Sequence, residues 1–183
     1  MSLVPSPVTT MTTRGAIDAT GAEHPLDVMI LATGFQAAKF LHTFDVYGTN
    51  GASLHEQWGD EPTAFLGVCV PHIPNFFMLY GPNTNGGEII PMLENGAAFA
   101  VRTIRSIGFR RTGMFVVRGN IHDRYNRWLD GHLRSSVWAS TNNYFRSSTG
   151  RVVTQWPFGT VLYALLLRLA RPSIVMKFPR RRR

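Results

Sequence analysis

One stretch constrains the fold more than any other: "NFFMLYGPNTNGGE", residues 75–88. An apolar run, Phe76 to Tyr80, leads into Gly81-Pro82, then Asn83-Thr84-Asn85, the pair Gly86-Gly87 and an acid. An unbroken apolar run bounded by turn residues has the pattern of a strand covered on both faces. From Glu88 to Ile107 the period becomes helical. Ile89, Leu93, Ala97, Val101 and Ile104 recur on one line, Arg102 and Arg105 fall off it, and Gly108 stands as a C-terminal stop. Pro91 fits the first turn, where a missing N–H costs little. The stretch is predicted to run strand, glycine-rich turn, helix N-terminus. Such a turn allows close backbone approach, and the free N–H groups and dipole of the helix favour an anion or an electron-rich carbonyl beyond the strand. A loop whose Gly and Asn residues serve only the turn is the plainer reading of the same residues.

The rest of the chain has the same mixed character. Residues 1–14 are rich in Pro, Ser and Thr and are expected to be mobile. Then "GAIDATGAEHPLDVMILATGF" predicts a hairpin: a short strand at Ala16–Ala19, a turn at Thr20-Gly21, and a buried strand at Leu26–Ala32. Residues 36–74 carry candidate turns at Gly48, Asn50-Gly51 and Gly59-Asp60, with loops and short strands bringing Trp58 and Phe65 into a core. A short strand is expected at Met114–Val117. A second helix follows at Ile121–Val137, with Asn120 as N-cap and Ile121, Tyr125, Leu129, Leu133 and Val137 spaced by four. A strand at Arg151–Thr154 and a last helix at Gly159–Ala170 complete an α/β pattern.

Bulk properties narrow the function classes. A chain of 183 residues with 44% apolar and 16% charged residues is globular rather than disordered. The net charge of +8 includes the terminal Arg180 to Arg183, so it describes one basic end, a solvated tail rather than a nucleic-acid-binding face. The single cysteine, Cys69, lies between valines, where a buried thiol in a reducing compartment is expected. With no secretory leader and no apolar run of the ~20 residues that span a bilayer, the chain is expected to be cytoplasmic. The histidines at 24, 42, 55, 72, 122 and 132 show no metal-ligand spacing, and no Gly-x-Ser-x-Gly elbow occurs.

Taken in order, "LDVMILATGF", "IPNFFMLYGPNTN", the helix carrying Glu94, "YNRWLDGHLRSSVW" and "NNYFRSSTGRVVTQWP" resemble the C-terminal part of class B flavin-dependent monooxygenases. Among these, the similarity is greatest to the Baeyer-Villiger enzymes around 4-hydroxyacetophenone monooxygenase. The resemblance covers about residues 15–165. It implies a partial FAD/NAD(P)-binding, Rossmann-like domain, with FAD and NADP as cofactors of the complete enzyme and a small ketone, amine or sulfide as substrate.

By the same resemblance, Asp27 and Thr33-Gly34-Phe35 belong to the motif that closes the nicotinamide domain. Gly81, Pro82, Asn83, Thr84 and Asn85 pass beside the flavin ring, and the helix starting near Gly87, after Gly86, points its N-terminus at the ring's pyrimidine end. Tyr144 and Phe145 stand at the substrate wall. No residue is assigned a catalytic role. The loop is shorter here than in that branch, because Asn85 abuts Gly86-Gly87-Glu88, which brings a carboxylate close to a site where reduced flavin carries negative charge.

The larger departure concerns phosphate binding. A dinucleotide fold needs a Gly-x-Gly-x-x-Gly turn for the pyrophosphate, and no two glycines in this sequence lie two apart. The N-terminal dinucleotide-binding halves are therefore expected to be lacking, leaving a mobile segment at 1–14, the C-terminal portion of a flavin domain at 15–170 and a basic tail at 171–183. On this reading the isolated chain does not turn over, and a separate chain carrying the dinucleotide-binding domains is a candidate partner. The alternative is a non-catalytic module that binds a protein or a membrane surface weakly, through Val161, Leu162, Leu165, Leu166 and Leu169 with Arg168 and Arg171 at their edge.

Overall fold

The computed structural model describes residues 3–110, 114–141 and 143–177, without the side chains of 107–110. It divides into two compact units, Met1–Gly34 and Phe35–Arg183. The tail Arg180–Arg183 lies outside the described residues.

The first unit is a three-stranded antiparallel sheet, β1 (Val8–Met11), β2 (Gly15–Asp18) and β3 (Glu23–Pro25), with β2 in the middle. The segment expected to be mobile thus supplies an edge strand. The predicted turn at Thr20-Gly21 is organised by Asp18. Its Oδ1 accepts from the Thr20 hydroxyl and amide and from the Ala22 amide, and its Oδ2 lies 3.0 Å from His24 Nε2. The Thr20 hydroxyl above all, then His24, holds the Asp18 carboxyl well below the usual carboxylate range, outweighing the opposite effect of burial.

The return strand differs from the one expected. Leu26–Ala32 forms no strand, and Val28 and Ile30 are 77% and 87% exposed. A fully apolar strand is stable only between two pairing partners and two covering layers, and among the described residues none pairs with it.

The second unit is built on helices. They are α1 (Leu54–Trp58), α2 (Ile89–Arg110), α3 (Gly119–Leu133), α4 (Val137–Ser140), α5 (Thr160–Leu169) and α6 (Pro172–Val175), with strands β4 (Val116–Val117) and β5 (Met176–Lys177) paired antiparallel. α1 is absent from the expectations above, although Ser53 and Glu56 spell a capping box. The Ser53 hydroxyl accepts from the Glu56 amide, and the Glu56 carboxylate accepts from the Ser53 amide. α3 begins one residue before the expected cap, so Asn120 sits inside it, and it ends at Leu133, leaving Val137 exposed at the start of α4.

α2 has the predicted place but runs through Gly108 to Arg110 and shows the core a different face. Met92, Phe99, Ala100 and Thr103 are buried, whereas Ile89, Val101 and Ile104 of the predicted line are exposed, as is Ile90. The helix is apolar on more than one side, and periodicity alone does not say which line turns inward; the line carrying the large Phe99 ring does. α5 packs against α2 through Tyr163 and Leu167, and the Arg102 guanidinium donates to the Leu167 carbonyl at 2.6 Å.

Neither Phe76–Tyr80 nor Arg151–Thr154 is a regular strand. In the first, only Met78 is buried; in the second, Val152 forms an isolated bridge with Arg146, and Gln155 just after it forms one with Asn85. The region expected to be tail also contributes to the core, because Val175 and Met176 are buried there and β5 closes on β4. Cys69, Trp58 and Phe65 are buried as expected. No described helix is long and apolar enough to cross a membrane.

Candidate functional site: the 81–87 loop and its cavity

The glycine-rich loop is held by the backbone of residues 152–156. The Asn83 amide donates to the Val153 carbonyl and the Asn85 amide to the Thr154 carbonyl, both at 2.9 Å, while the Trp156 amide donates to the Asn85 carbonyl. Asn83 itself is buried at a φ of +58°, and its side-chain Nδ2 donates to the carbonyls of Val152 and Gln155. A short polar side chain tolerates that left-handed conformation best after glycine. The Thr84 hydroxyl donates to the Gly81 carbonyl at 2.7 Å, closing the turn.

Two glycines are required by contact. A Cβ on Gly81 would stand 2.3 Å from the Gly67 carbonyl oxygen, and one on Gly67, itself at φ +66°, would stand 2.0 Å from Thr84 Cγ2. The segment ahead of the loop is irregular, yet the loop is anchored through main-chain groups of residues 152–156. At its far end the Glu88 amide donates to the Thr160 hydroxyl, so the first turns of α2 and α5 start together, with the Glu88 side chain exposed.

Beside the loop lies a cavity of about 330 Å³. Gly81, Thr84 and Asn85 form one side, Tyr144 and Phe145 another, and Thr154 closes it from the supporting segment. The loop and the aromatic pair named from the sequence thus meet at one space, some 60 residues apart in the chain. The rings of Tyr144 and Phe145 are tilted against each other with centroids 4.3 Å apart. Pro82 and Asn83 are buried behind the loop, while Gly86 and Gly87 face Gln155, Trp156, Thr160 and Met92 instead of the cavity.

Six lining residues escape the sequence reading: Gln36, Ala37, Lys39 and Phe40, from the segment after the Thr33-Gly34-Phe35 motif, together with Tyr80 and Thr154. Tyr80 precedes Gly81 directly and donates its hydroxyl to Asn85 Oδ1 at 3.1 Å; burial raises its pKa. Its position next to the turn is a usable signal, whereas nothing in the local pattern of residues 36–40 points to the cavity. Asp27, Thr33 and Gly34 fall in the first unit, exposed and in irregular backbone, and Phe35 begins the second. Among the described residues no group of three or more His, Cys, Asp or Glu is placed to hold a metal ion.

Helices around an anchored glycine turn, with a cavity lined in part by aromatic rings beside it, have the form of a piece of a larger α/β architecture. Comparison with known proteins specifies which. The FAD-binding monooxygenase ktnD of Aspergillus niger is 36% identical over 160 residues, spanning 80% of this chain and 26% of that protein. A Baeyer-Villiger monooxygenase of Pseudomonas aeruginosa is 31% identical over 163 residues, 86% of this chain and 31% of that one. Cyclohexanone monooxygenase from Rhodococcus sp. Phi1, solved with NADP+, superimposes with a TM-score of 0.79 at 21% identity, over 96% of this chain and 34% of that one. Steroid monooxygenase bound to NADP gives 0.78 at 22% identity, with the same coverage.

No protein-family model matches the chain. The chain is similar to the C-terminal part of FAD-binding and Baeyer-Villiger monooxygenases, and its fold is the matching portion of the flavin monooxygenase fold. It spans about a quarter to a third of the length of the relatives it matches.

Proposed function

We propose that this chain supplies the flavin-ring loop and one wall of the substrate cavity of an FAD- and NADPH-dependent monooxygenase that oxygenates a small ketone, or an amine or sulfide. The observation that carries the proposal is the meeting of Gly81, Thr84 and Asn85 with Tyr144 and Phe145 around one cavity.

The residues present fit the ring half of FAD. Gly81 admits no Cβ, the loop is rigid through main-chain bonds, and flat aromatic groups line the opposite wall. They do not fit the pyrophosphate half, for which the sequence has no glycine fingerprint, so that half is supplied by another part of the polypeptide or by a second chain. When bound, FAD reduced by NADPH supplies the activation of oxygen. The chain's own contribution is to position the ring edge with the 81–85 backbone, to hold the ketone against Tyr144 and Phe145, and to keep water from the space between them. The N-terminus of α2 favours negative charge near the loop, and Glu88 opposes it.

Titrating FAD, and in parallel riboflavin as the ring alone, into the purified chain tests this. Saturable binding of both, with a resolved and shifted visible spectrum, is the expected result; free-flavin spectra throughout would overturn the assignment of residues 81–87. No monooxygenase turnover is expected from the chain alone.

A further inference from the structure

α5 turns two faces to different surroundings. Tyr163 and Leu167 are buried, and Leu162 and Leu166 pack half-buried against the same core. Val161, Leu165 and Leu169 are 84%, 48% and 62% exposed, and Arg168 is exposed with them. Spaced by four, with Arg168 three residues after Leu165, these side chains form one stripe along the outer side of the helix. Of the five aliphatic residues that the sequence groups on one face, the structure thus gives two to the core and leaves three outside. Past the helix end, Arg171, Ile174 and Lys177 are exposed as well and continue the same mixture of aliphatic and cationic groups.

The charge of this region has one sign. All 11 acidic residues of the chain lie at or before Asp130, while residues 131–183 hold ten of its 19 lysines and arginines, four of them in Arg180–Arg183 outside the described residues. Among the described residues, none of Arg168, Arg171 and Lys177 pairs with a carboxylate. Aliphatic side chains interleaved with such cations suit few surfaces. A second copy of the chain, meeting the stripe with its own, would set arginine against arginine. A nucleic-acid backbone would neutralise the cations and leave the leucines in water. A bilayer surface carrying anionic lipid answers both groups: the aliphatic side chains enter the acyl boundary, and the longer cationic ones reach the headgroup charges.

We infer that the outer stripe of α5, Val161, Leu165 and Leu169 with Arg168 and Arg171, docks the chain on an anionic lipid surface, the helix lying in the plane of the interface. A helix of 10 residues fits along such a surface and is far too short to cross it. The inference is independent of the flavin-ring reading, because none of these residues lines the cavity beside the 81–87 loop.

Co-sedimentation of the purified chain with two kinds of vesicle tests this: phosphatidylcholine alone, and phosphatidylcholine with phosphatidylserine at about three to one. The expected result is saturable binding to the mixed vesicles, weakened by added salt, and about tenfold or weaker binding to phosphatidylcholine alone. Leu165→Glu, and independently Leu169→Glu, should weaken binding to the mixed vesicles about tenfold or more. Arg168→Ser combined with Arg171→Ser should remove the preference for the mixed vesicles. Val28→Glu, at an exposed aliphatic residue of the first unit, should leave binding unchanged. Each variant is first shown to keep the far-ultraviolet circular dichroism of the parent. No binding to the mixed vesicles, binding that survives both glutamates in folded protein, or an equal loss in Val28→Glu would overturn the inference. So would a self-associated chain that ignores vesicles and is dissociated by Leu165→Glu, since the stripe would then be an interface between protein chains.

Discussion

Asn83 donates its side-chain amide to the Val152 carbonyl at 3.0 Å from a backbone position at φ +58°. The bond and the conformation make separate demands, and substitutions tell them apart. Asn83→Ala removes the donors to Val152 and Gln155 and also places a non-polar Cβ residue in the left-handed region; a loss of about 2–4 kcal/mol is expected. Asn83→Gly loses the bonds but relieves the backbone, so it should cost less than the alanine. Urea denaturation of the two variants gives the order directly.

Two glycines give opposite outcomes. Gly67→Ala meets Thr84 Cγ2 at 2.0 Å and a φ of +66°, and is expected to destabilise by about 3 kcal/mol or more and, on the proposed function, to weaken flavin binding with it. Gly131 lies within α3 with open space where a methyl group would stand, so Gly131→Ala should stabilise by about 0.5–1 kcal/mol. Thermal melts of both variants check the pair.

Acid sensitivity of the first unit should trace to Asp18. Its carboxyl is depressed in the folded state, so the stabilisation is complete above the ordinary carboxylate range, near pH 4, and is lost as pH falls toward the lower folded value. Hydrogen exchange of the β2 and β3 amides should accelerate with falling pH, beyond the intrinsic trend, in the parent chain. In Asp18→Asn that excess should vanish, and protection should be lower at neutral pH.

Cys69 is buried, and burial pushes its thiol pKa far up, so the thiolate that reacts is scarce in the native chain. A thiol reagent at mildly alkaline pH should modify it only through opening of the core, with a rate that rises with denaturant. Labelling at the speed of a free thiol in native buffer would contradict the burial.

How much of this is legible in the sequence depends on the range of the interaction. Local devices are readable: the Thr20-Gly21 turn, the existence of α2, α3 and α5, and the capping box that is there to be found at Ser53. The apolar runs at 26–32 and 76–80 read as strands and are not, since an apolar run reports a wish to be covered and not which backbone geometry covers it. In α2 the competing apolar lines make the same point about faces. The loop and the aromatic pair come from family resemblance, and the cavity that joins them depends on residues 36–40, whose own sequence says nothing about where they fold.

The anchoring of the 81–87 loop has a kinetic side. Asn83 waits for carbonyls 69 and 72 residues further on, and the Tyr163 hydroxyl reaches back 97 residues to Leu66. Closing such long chain segments costs entropy before any bond rewards it, so the loop is among the last parts to take shape as the chain folds. During synthesis residues 81–85 emerge well before residues 152–156, and in that interval their glycines leave them without a fixed form. On the proposed function, the place where the flavin ring is to rest is thus completed from the far end of the chain, and a flavin molecule present during folding has nothing to hold until that end arrives.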